Sequence, residues 1–360
     1  MRKHLQQKQL FINRNLDYNA ILIPSDNTIN QIDIELTKFI LNKTEGIKIA
    51  FWDNSLSVRG TTVALYDYAY YNKYILRNES IILYNNTRSE TDQLVVEKFK
   101  KEFEVFSVDN FDKVDNILKN ENCDIFYIIK GGENENQYSR VIKTVVHCVF
   151  TCIQPHGNVY ASIAPWVKGN NGKYPFVPHI MSLPDHNLNM REKLNISEDA
   201  IVYGRHGGYE QFDIAFVHTI VYNVAKNNPN IYFLFVNTKP FCDKLSNIIH
   251  LDPIVDLNEK VNFINTCDAM LWARSDGEVF SCSMGEFSIK NKPIICTKIG
   301  YPGHIELLKD QAIWYTENNL ENILMNFNKN ENSKKDWNAY KEYTPEKVMQ
   351  QFKKVFIDND

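Results

Sequence analysis

From about residue 46 onward, short apolar runs alternate with amphipathic stretches, the rhythm of strands and helices in turn. Ile47–Asp53 and Ser80–Tyr84 read as strands, with Thr61–Asn72 as a helix between them. Thr91–Phe103 and Phe111–Asn120 read as helices, alternating with the extended segments Glu104–Val108 and Asp124–Ile129. Thr144–Phe150 and Asn158–Ile163 continue as strands. Apolar strands separated by helices predict a parallel sheet covered on both faces.

Pro175–Asp185 breaks the rhythm with three prolines and reads as a connection between domains. The pattern then restarts. Ala200–Tyr203, Ile231–Val236, Ile249–Leu251, Ala269–Trp272 and Pro293–Thr297 read as strands. Between them lie predicted helices at Phe212–Asn227, Cys242–Ile248, Asn258–Cys267 and Ser281–Asn291. Helical segments near Asn318–Asn328 and Pro345–Phe356 close the chain, and no sequence repeat is visible. The expectation is an α/β protein of two doubly wound, Rossmann-like domains facing a cleft, residues 46–185 and 186–343. In such folds ligands lie outside the carboxyl ends of the strands.

Composition narrows the picture. At 360 residues and 44% hydrophobic, the chain exceeds what one core usually supports. A net charge of −4 with scattered Lys and Arg gives no field for nucleic acid, so none is expected as a partner. Apolar runs such as Val145–Ile153 fall far short of the roughly 20 residues that span a bilayer. The first ten residues lack the apolar core of a signal peptide. Seven scattered cysteines without a CxxC pair suit reduced thiols, and the expected localisation is cytoplasmic with no transmembrane segment.

Candidate chemistry gathers at predicted strand ends. Arg205, in Tyr203-Gly-Arg-His-Gly-Gly-Tyr209, is flanked by glycines and followed by a helix. That setting suits a phosphate oxygen, and equally a flexible turn with a surface arginine. Glu278 and Glu286 stand in the stretch from Arg274 to Lys290, one above a predicted helix and one two turns along it. Two carboxylates on one strand–loop–helix unit can accept hydrogen bonds from two diols, although capping and a solvated helix face would give the same pattern. Free N–H groups near Phe280 and Ser281 would favour a diphosphate. Arg274 reads either as a second cation or as an ion-pair partner of Asp276 or Glu278. In the first half, Gly60 ends a loop that can approach a substrate closely. His147, near a strand end, reads as a ligand for a sugar hydroxyl or as a satisfied core histidine. The histidines lack metal-ligand spacing, and no metal site is expected.

In order along the chain, these motifs resemble GT-B glycosyltransferases, specifically the retaining family-4-like group (glycosyl transferases group 1). The resemblance rests on Gly60, His147, Leu183-Pro-Asp with Arg191-Glu-Lys-Leu leading to Gly204-Arg205, Asp268-Ala-Met-Leu through Gly277-Glu-Val-Phe to Glu286, Lys292-Pro-Ile-Ile-Cys-Thr to Gly300, and the late helix from Thr344. It covers residues 46 to the end, with 344–360 as a helix returning toward the first domain, and leaves residues 1–45 as an unassigned N-terminal extension. It implies transfer of a hexose-type sugar from a UDP- or GDP-linked donor to a glycan or other hydroxyl acceptor, with retained configuration, no obligatory metal and no cofactor beyond the donor itself. Arg205 would then hold the diphosphate and Glu286 the ribose hydroxyls. Glu278 and His147 would contact the sugar, Gly60 would lie beside acceptor and phosphates, and loss of the Glu286 carboxylate would weaken donor binding with the fold intact. Two positions depart from the family: Glu210 stands where a lysine is usual, and Arg59 replaces a glycine. A nucleotide-sugar epimerase or hydrolase on the same scaffold, or a non-catalytic binder of glycan or protein, would share the pattern.

Overall fold

The computed structural model describes residues 46–359; the unassigned extension 1–45 lies outside the described residues. Two six-stranded parallel sheets organise it. The first contains β1 (Lys48–Asp53), β2 (Glu79–Asn85), β3 (Glu104–Val108), β4 (Ile125–Lys130), β5 (Lys143–Cys148) and β6 (Val159–Ser162), in the order β3-β2-β1-β4-β5-β6. The second contains β7 (Ile201–His206), β8 (Ile231–Val236), β9 (Ile248–Leu251), β10 (Ala269–Leu271), β12 (Ile294–Cys296) and β14 (Ile313–Trp314), ordered β14-β12-β10-β7-β8-β9. Counted within each lobe, both sheets wind in the same sense, and the order reverses beside β1 and beside β7. Those reversals are where doubly wound sheets open a crevice.

The strands are apolar because both faces are covered. Ile49, Ala50, Phe51 and Trp52 of β1 are all buried, and Phe51 sits in register with Tyr127 of β4. The crossovers are helices α1 (Gly60–Tyr74), α2 (Gln93–Lys100), α3 (Val114–Asn120), α4 (Ala215–Asn227), α5 (Leu257–Thr266) and α6 (Cys282–Ile289). Short polar side chains fix several starts: Asp92 accepts from Leu94 N–H, and Asp256 accepts from Glu259 N–H. Two-residue strands β11 (Gly277–Glu278) and β13 (Tyr301–Pro302) pair in parallel above the second sheet. Of the later helices α7 (Gly303–Leu308), α8 (Leu320–Met325) and α9 (Lys329–Asn332), α7 packs beside the β11–β13 pair and α8 against α4.

The last helix, α10 (Pro345–Phe352), starts at Thr344, whose side chain accepts from Lys347 N–H, with Pro345 in the first turn. It packs on the first sheet. Phe352 is 6.3 Å from Phe51 and 5.5 Å from Tyr127 between ring centres, and Phe356 lies 5.1 Å from His147.

One predicted helix is absent. Residues 242–247 form an irregular loop, because Phe241 is drawn into a stack with His218 at 4.4 Å and edge-on against Phe235 at 5.3 Å. Asn247 completes the distortion by donating to the carbonyls of Ala225 and Ile231. The short helix α7 and the β11–β13 pair were not legible as periodic segments.

Candidate functional site

The carboxyl edge of the second sheet gathers the charged groups. Beyond β10 the chain runs through Trp272 and Arg274 to β11, where Gly277 adopts a positive φ of 74°. An added Cβ there would lie 2.2 Å from Tyr301 N, so only glycine lets the two loops press together. This seam presents Glu278. Its Oε1 accepts from Trp272 Nε1 at 3.3 Å and its Oε2 from Arg274 Nη1 at 3.3 Å. Burial raises the Glu278 carboxyl above its usual range, against the opposing pull of Arg274 and Arg205.

Arg205 projects from the end of β7 and is buried. Its guanidinium donates to Asn237 O at 3.2 Å, to Thr238 Oγ1, and to Gly208 O at 2.8 Å. The residue therefore braces the Gly207–Gly208 turn against the loop after β8. Burial lowers its pKa to about 10, while Glu278 pulls in the opposite direction. Arg205, Arg274 and Glu278 thus share one patch. Glu210, where the family pattern has lysine, is exposed and pairs with Lys239 at 3.2 Å.

Glu286, on α6, is enclosed. Lys260 Nζ lies 2.8 Å from Oε1 and His206 Nε2 lies 2.9 Å from Oε2. Burial would raise the carboxyl, but the Lys260 ammonium, joined by His206 when that ring is protonated, overcomes it and holds Glu286 at about 2. The same carboxylate outweighs burial at Lys260, whose ammonium is raised. From the first lobe, Asp67 on α1 and Lys98 on α2 lie within electrostatic reach of this pair. Asp67 is pushed up to about 7, by burial first and by Glu286 in addition.

Phe280 and Ser281 sit at the start of α6. The Phe280 ring is buried in an edge-on cluster, 5.1 Å from His179 and 5.7 Å from Tyr340. Ser281 Oγ caps the helix by accepting from Met284 N–H. These two side chains shape the entrance of α6. Trp166 of the first lobe donates to Val279 O at 2.7 Å, next to Phe280. At the carboxyl end of β9, a cavity of about 320 Å³ opens between Met190, Leu194, Leu251, Ile254 and Val255, beside α5.

On the facing sheet, Gly60 begins α1 and an added Cβ would meet nothing within 4 Å. The preceding Arg59 is exposed and bonds Ser57 Oγ at 2.9 Å and Ser55 Oγ. Asp53, ending β1, accepts from Thr62 Oγ1 at 2.8 Å, and burial raises its carboxyl to about 6. His147 takes the core position. It is fully buried, its Nε2 donates to Val177 O at 2.9 Å and its Nδ1 faces the Tyr127 hydroxyl at 2.6 Å. With both ring nitrogens engaged, the structure does not bring His147 to Arg205 and Glu278. His179 is the first-lobe histidine that meets the α6 loop, through Phe280.

No family model matches the sequence, and no curated protein matches it. Solved structures do match. Anabaena Alr3699/HepE, in complex with UDP-glucose, superposes with a TM-score of 0.66 at 13% identity, over 87% of this chain and 100% of that one. A glycosyltransferase from Rickettsia africae gives 0.60 at 12% identity, over 87% and 100%. A protein provisionally named a UDP-N-acetylglucosamine 2-epimerase from Listeria monocytogenes gives 0.56 at 12% identity, over 88% and 98%. The chain has the GT-B fold.

Within that GT-B fold, sequence reasoning placed Arg205, Arg274, Glu278 and Glu286 on one edge, and the structure gathers them there. It missed Lys260 as the partner of Glu286. A signal existed: Phe263, Ile264 and Cys267 follow Lys260 at +3, +4 and +7 and are buried, so Lys260 stands on the apolar face of α5. A lysine on that stripe calls for a buried counter-charge. Among the described residues, no helix is long and apolar enough to cross a membrane.

Proposed function

We propose that the chain is a glycosyltransferase. It moves a hexose-type sugar from a UDP- or GDP-linked donor to a hydroxyl of a glycan or other acceptor, with retention of configuration and no obligatory metal. The observation that carries this reading is the pair of separately held carboxylates, Glu278 half-buried beside Arg274 and Arg205, and Glu286 buried beside Lys260 and His206. Held as an anion, Glu286 accepts hydrogen bonds from ribose hydroxyls, and Glu278 accepts them from the sugar. The cavity between Leu251 and Val255 has room for a base.

The chemical barrier is departure of the diphosphate from an oxocarbenium-like sugar. Fixed cations aimed at the leaving group lower it, a preorganised effect worth roughly 3–4 kcal/mol per lost donor in the oxyanion holes of acyl-transfer enzymes. Arg274 and Arg205 supply the charge, and the uncapped start of α1, where Arg59 makes no side-chain cap, adds N–H donors from the facing lobe. Arg274 thereby stands in for the lysine missing at position 210.

The Listeria neighbour favours a second reading, isomerisation of the nucleotide sugar on the same scaffold. Incubating the protein with UDP-glucose, GDP-glucose or UDP-N-acetylglucosamine, each with and without an oligosaccharide pool, separates the two. Transfer requires the acceptor and yields an anomeric coupling matching the donor; an isomer formed without acceptor establishes the second reading. Binding of no nucleotide sugar in calorimetry sinks both.

A further inference from the structure

The carboxyl end of the first sheet holds a charged cluster that the donor side does not use. Lys130 closes β4, which pairs with β1 where the winding of that sheet reverses. Its side chain is 2% exposed and lies 3.0 Å from Glu135 Oε2, on a side chain that is 48% exposed. The contact is ionic only: Nζ is buried and has no hydrogen-bond partner among the described residues. The cation is therefore built into the sheet, while its counter-charge rides on residues 131–142, a stretch with no regular secondary structure.

Two more buried groups converge there. His156 lies within electrostatic reach of both Lys130 and Glu135. Its Nδ1 donates to Gln154 O at 2.7 Å, which leaves Nε2 buried and unpartnered among the described residues. Thr151 donates its backbone N–H to Gly131 O at 3.0 Å, and its buried hydroxyl is also without a partner among the described residues. The walls are stiff. Gly132 has a φ of 126°, and an added Cβ would fall 1.8 Å from Thr151 O. The Tyr160 hydroxyl donates to Gly132 O at 2.8 Å. Leaving an ammonium without a hydrogen bond beside an imidazole lone pair and a hydroxyl that also lack partners is costly, and such groups in native proteins are usually met by a partner, a water or an ion.

We propose that Lys130 and Thr151 form an anion site that holds a carboxylate or phosphate monoester carried by the acceptor, with His156 Nε2 accepting from a ligand hydroxyl beside it and Glu135 filling the site until the acceptor arrives. The exposed Glu135 carboxylate swings out as the ligand's anion takes its place, so the ammonium is never left unpaired. The word acceptor rests on the glycosyltransferase reading; the anion site itself does not.

Calorimetric titration of the full-length protein with D-glucuronate, D-glucose 6-phosphate and neutral D-glucose, in excess UDP, tests it. Either anionic sugar should bind and glucose should not; which of the two binds tighter distinguishes carboxylate from phosphate. Removing the competing charge in Glu135→Gln should tighten anion binding by about tenfold, the size of one charge-assisted contact. Lys130→Met should abolish it, and because a buried lysine is replaced there, the exposed Glu135→Gln variant carries the test if Lys130→Met fails to fold. Anion binding unchanged in Glu135→Gln, or glucose binding as tightly as the anions, overturns the proposal. A UDP titration of the same samples reports the donor side separately. Loss of UDP binding with retained, Glu135-sensitive anion binding overturns the glycosyltransferase reading alone, and the reverse result overturns the anion site alone.

Discussion

Lys260 Nζ lies 2.8 Å from Glu286 Oε1, and the two side chains are 13% and 9% exposed. This pair changes what removal of the Glu286 carboxylate does. The sequence implied a binding defect on an intact fold, whereas the structure makes Glu286 the counter-charge of a buried lysine. Glu286→Gln should cost about 3–5 kcal/mol of stability, the usual penalty for orphaning one member of a buried pair. Adding Lys260→Met should restore most of that stability but not nucleotide binding. Urea midpoints and nucleotide Kd for the three proteins check both halves. A single variant as stable as wild type would show that the pair does not hold the fold. The pH sign is definite. Glu286 sits at about 2 against an ordinary 4.5, so its contribution is whole above pH 4.5 and fades as pH falls from there toward 2.

Asp53 carries the opposite sign. Burial raises its carboxyl from 3.8 to about 6, so the folded protein binds a proton that the unfolded chain has released between those values. Stability from this group therefore declines as pH rises from about 4 to 6. Asp53→Asn keeps an acceptor for the Thr62 hydroxyl and removes the ionisation. Its stability relative to wild type should improve by roughly 2–3 kcal/mol between pH 4 and pH 7, at about 1.4 kcal/mol per unit. Denaturation midpoints at the two pH values decide it; equal differences at both would mean Asp53 is not held neutral by burial.

How much of this was legible follows from which force shaped each element. The strands around Phe51, Tyr127 and Leu234 were readable because apolar runs covered on both faces have few alternatives. The segment 242–247 was misread as helix because Phe241 finds its stack on α4, a contact its own neighbours do not encode. Glu278 and Glu286 were found from their place at a strand end and on the helix after it. Arg274 was legible beside Glu278, but the burial of Glu286 and its cation were not, since Lys260 lies 26 residues earlier and meets it only when α5 packs beside α6. His147 stood at a strand end with two open readings, and the Tyr127 hydroxyl and Val177 carbonyl that occupy it are distant in sequence.

Arg205 is expected to act on both fold and ligand. Its fork joins Gly208 O to Asn237 O and Thr238 Oγ1, a geometry that lysine cannot reproduce. Arg205→Lys should loosen the Gly207–Gly208 turn and weaken nucleoside diphosphate binding by about tenfold, with nucleoside binding little changed. Comparing Kd for UDP with that for uridine isolates the phosphate contribution. Equal losses for both ligands would mean that Arg205 serves only as a brace.

Gly277 fixes where Glu278 points. Its φ of 74° costs a residue with a side chain about 1–2 kcal/mol, and an added Cβ meets Tyr301 N at 2.2 Å and Tyr301 O at 2.4 Å, both backbone atoms that cannot turn aside. Gly277→Ala must therefore open the β11–β13 pair and carry Glu278 away from Trp272 Nε1 and Arg274 Nη1. Glu286 stands farther along, on α6, and keeps Lys260 and His206. The nucleotide sugar should consequently lose at least about tenfold in affinity, the size of one charge-assisted contact, while the nucleoside diphosphate loses less than about twofold. Calorimetry with UDP-glucose and UDP on the same sample, at a temperature where the variant is still folded, measures the split. Parallel losses would show that Glu278 does not face the sugar.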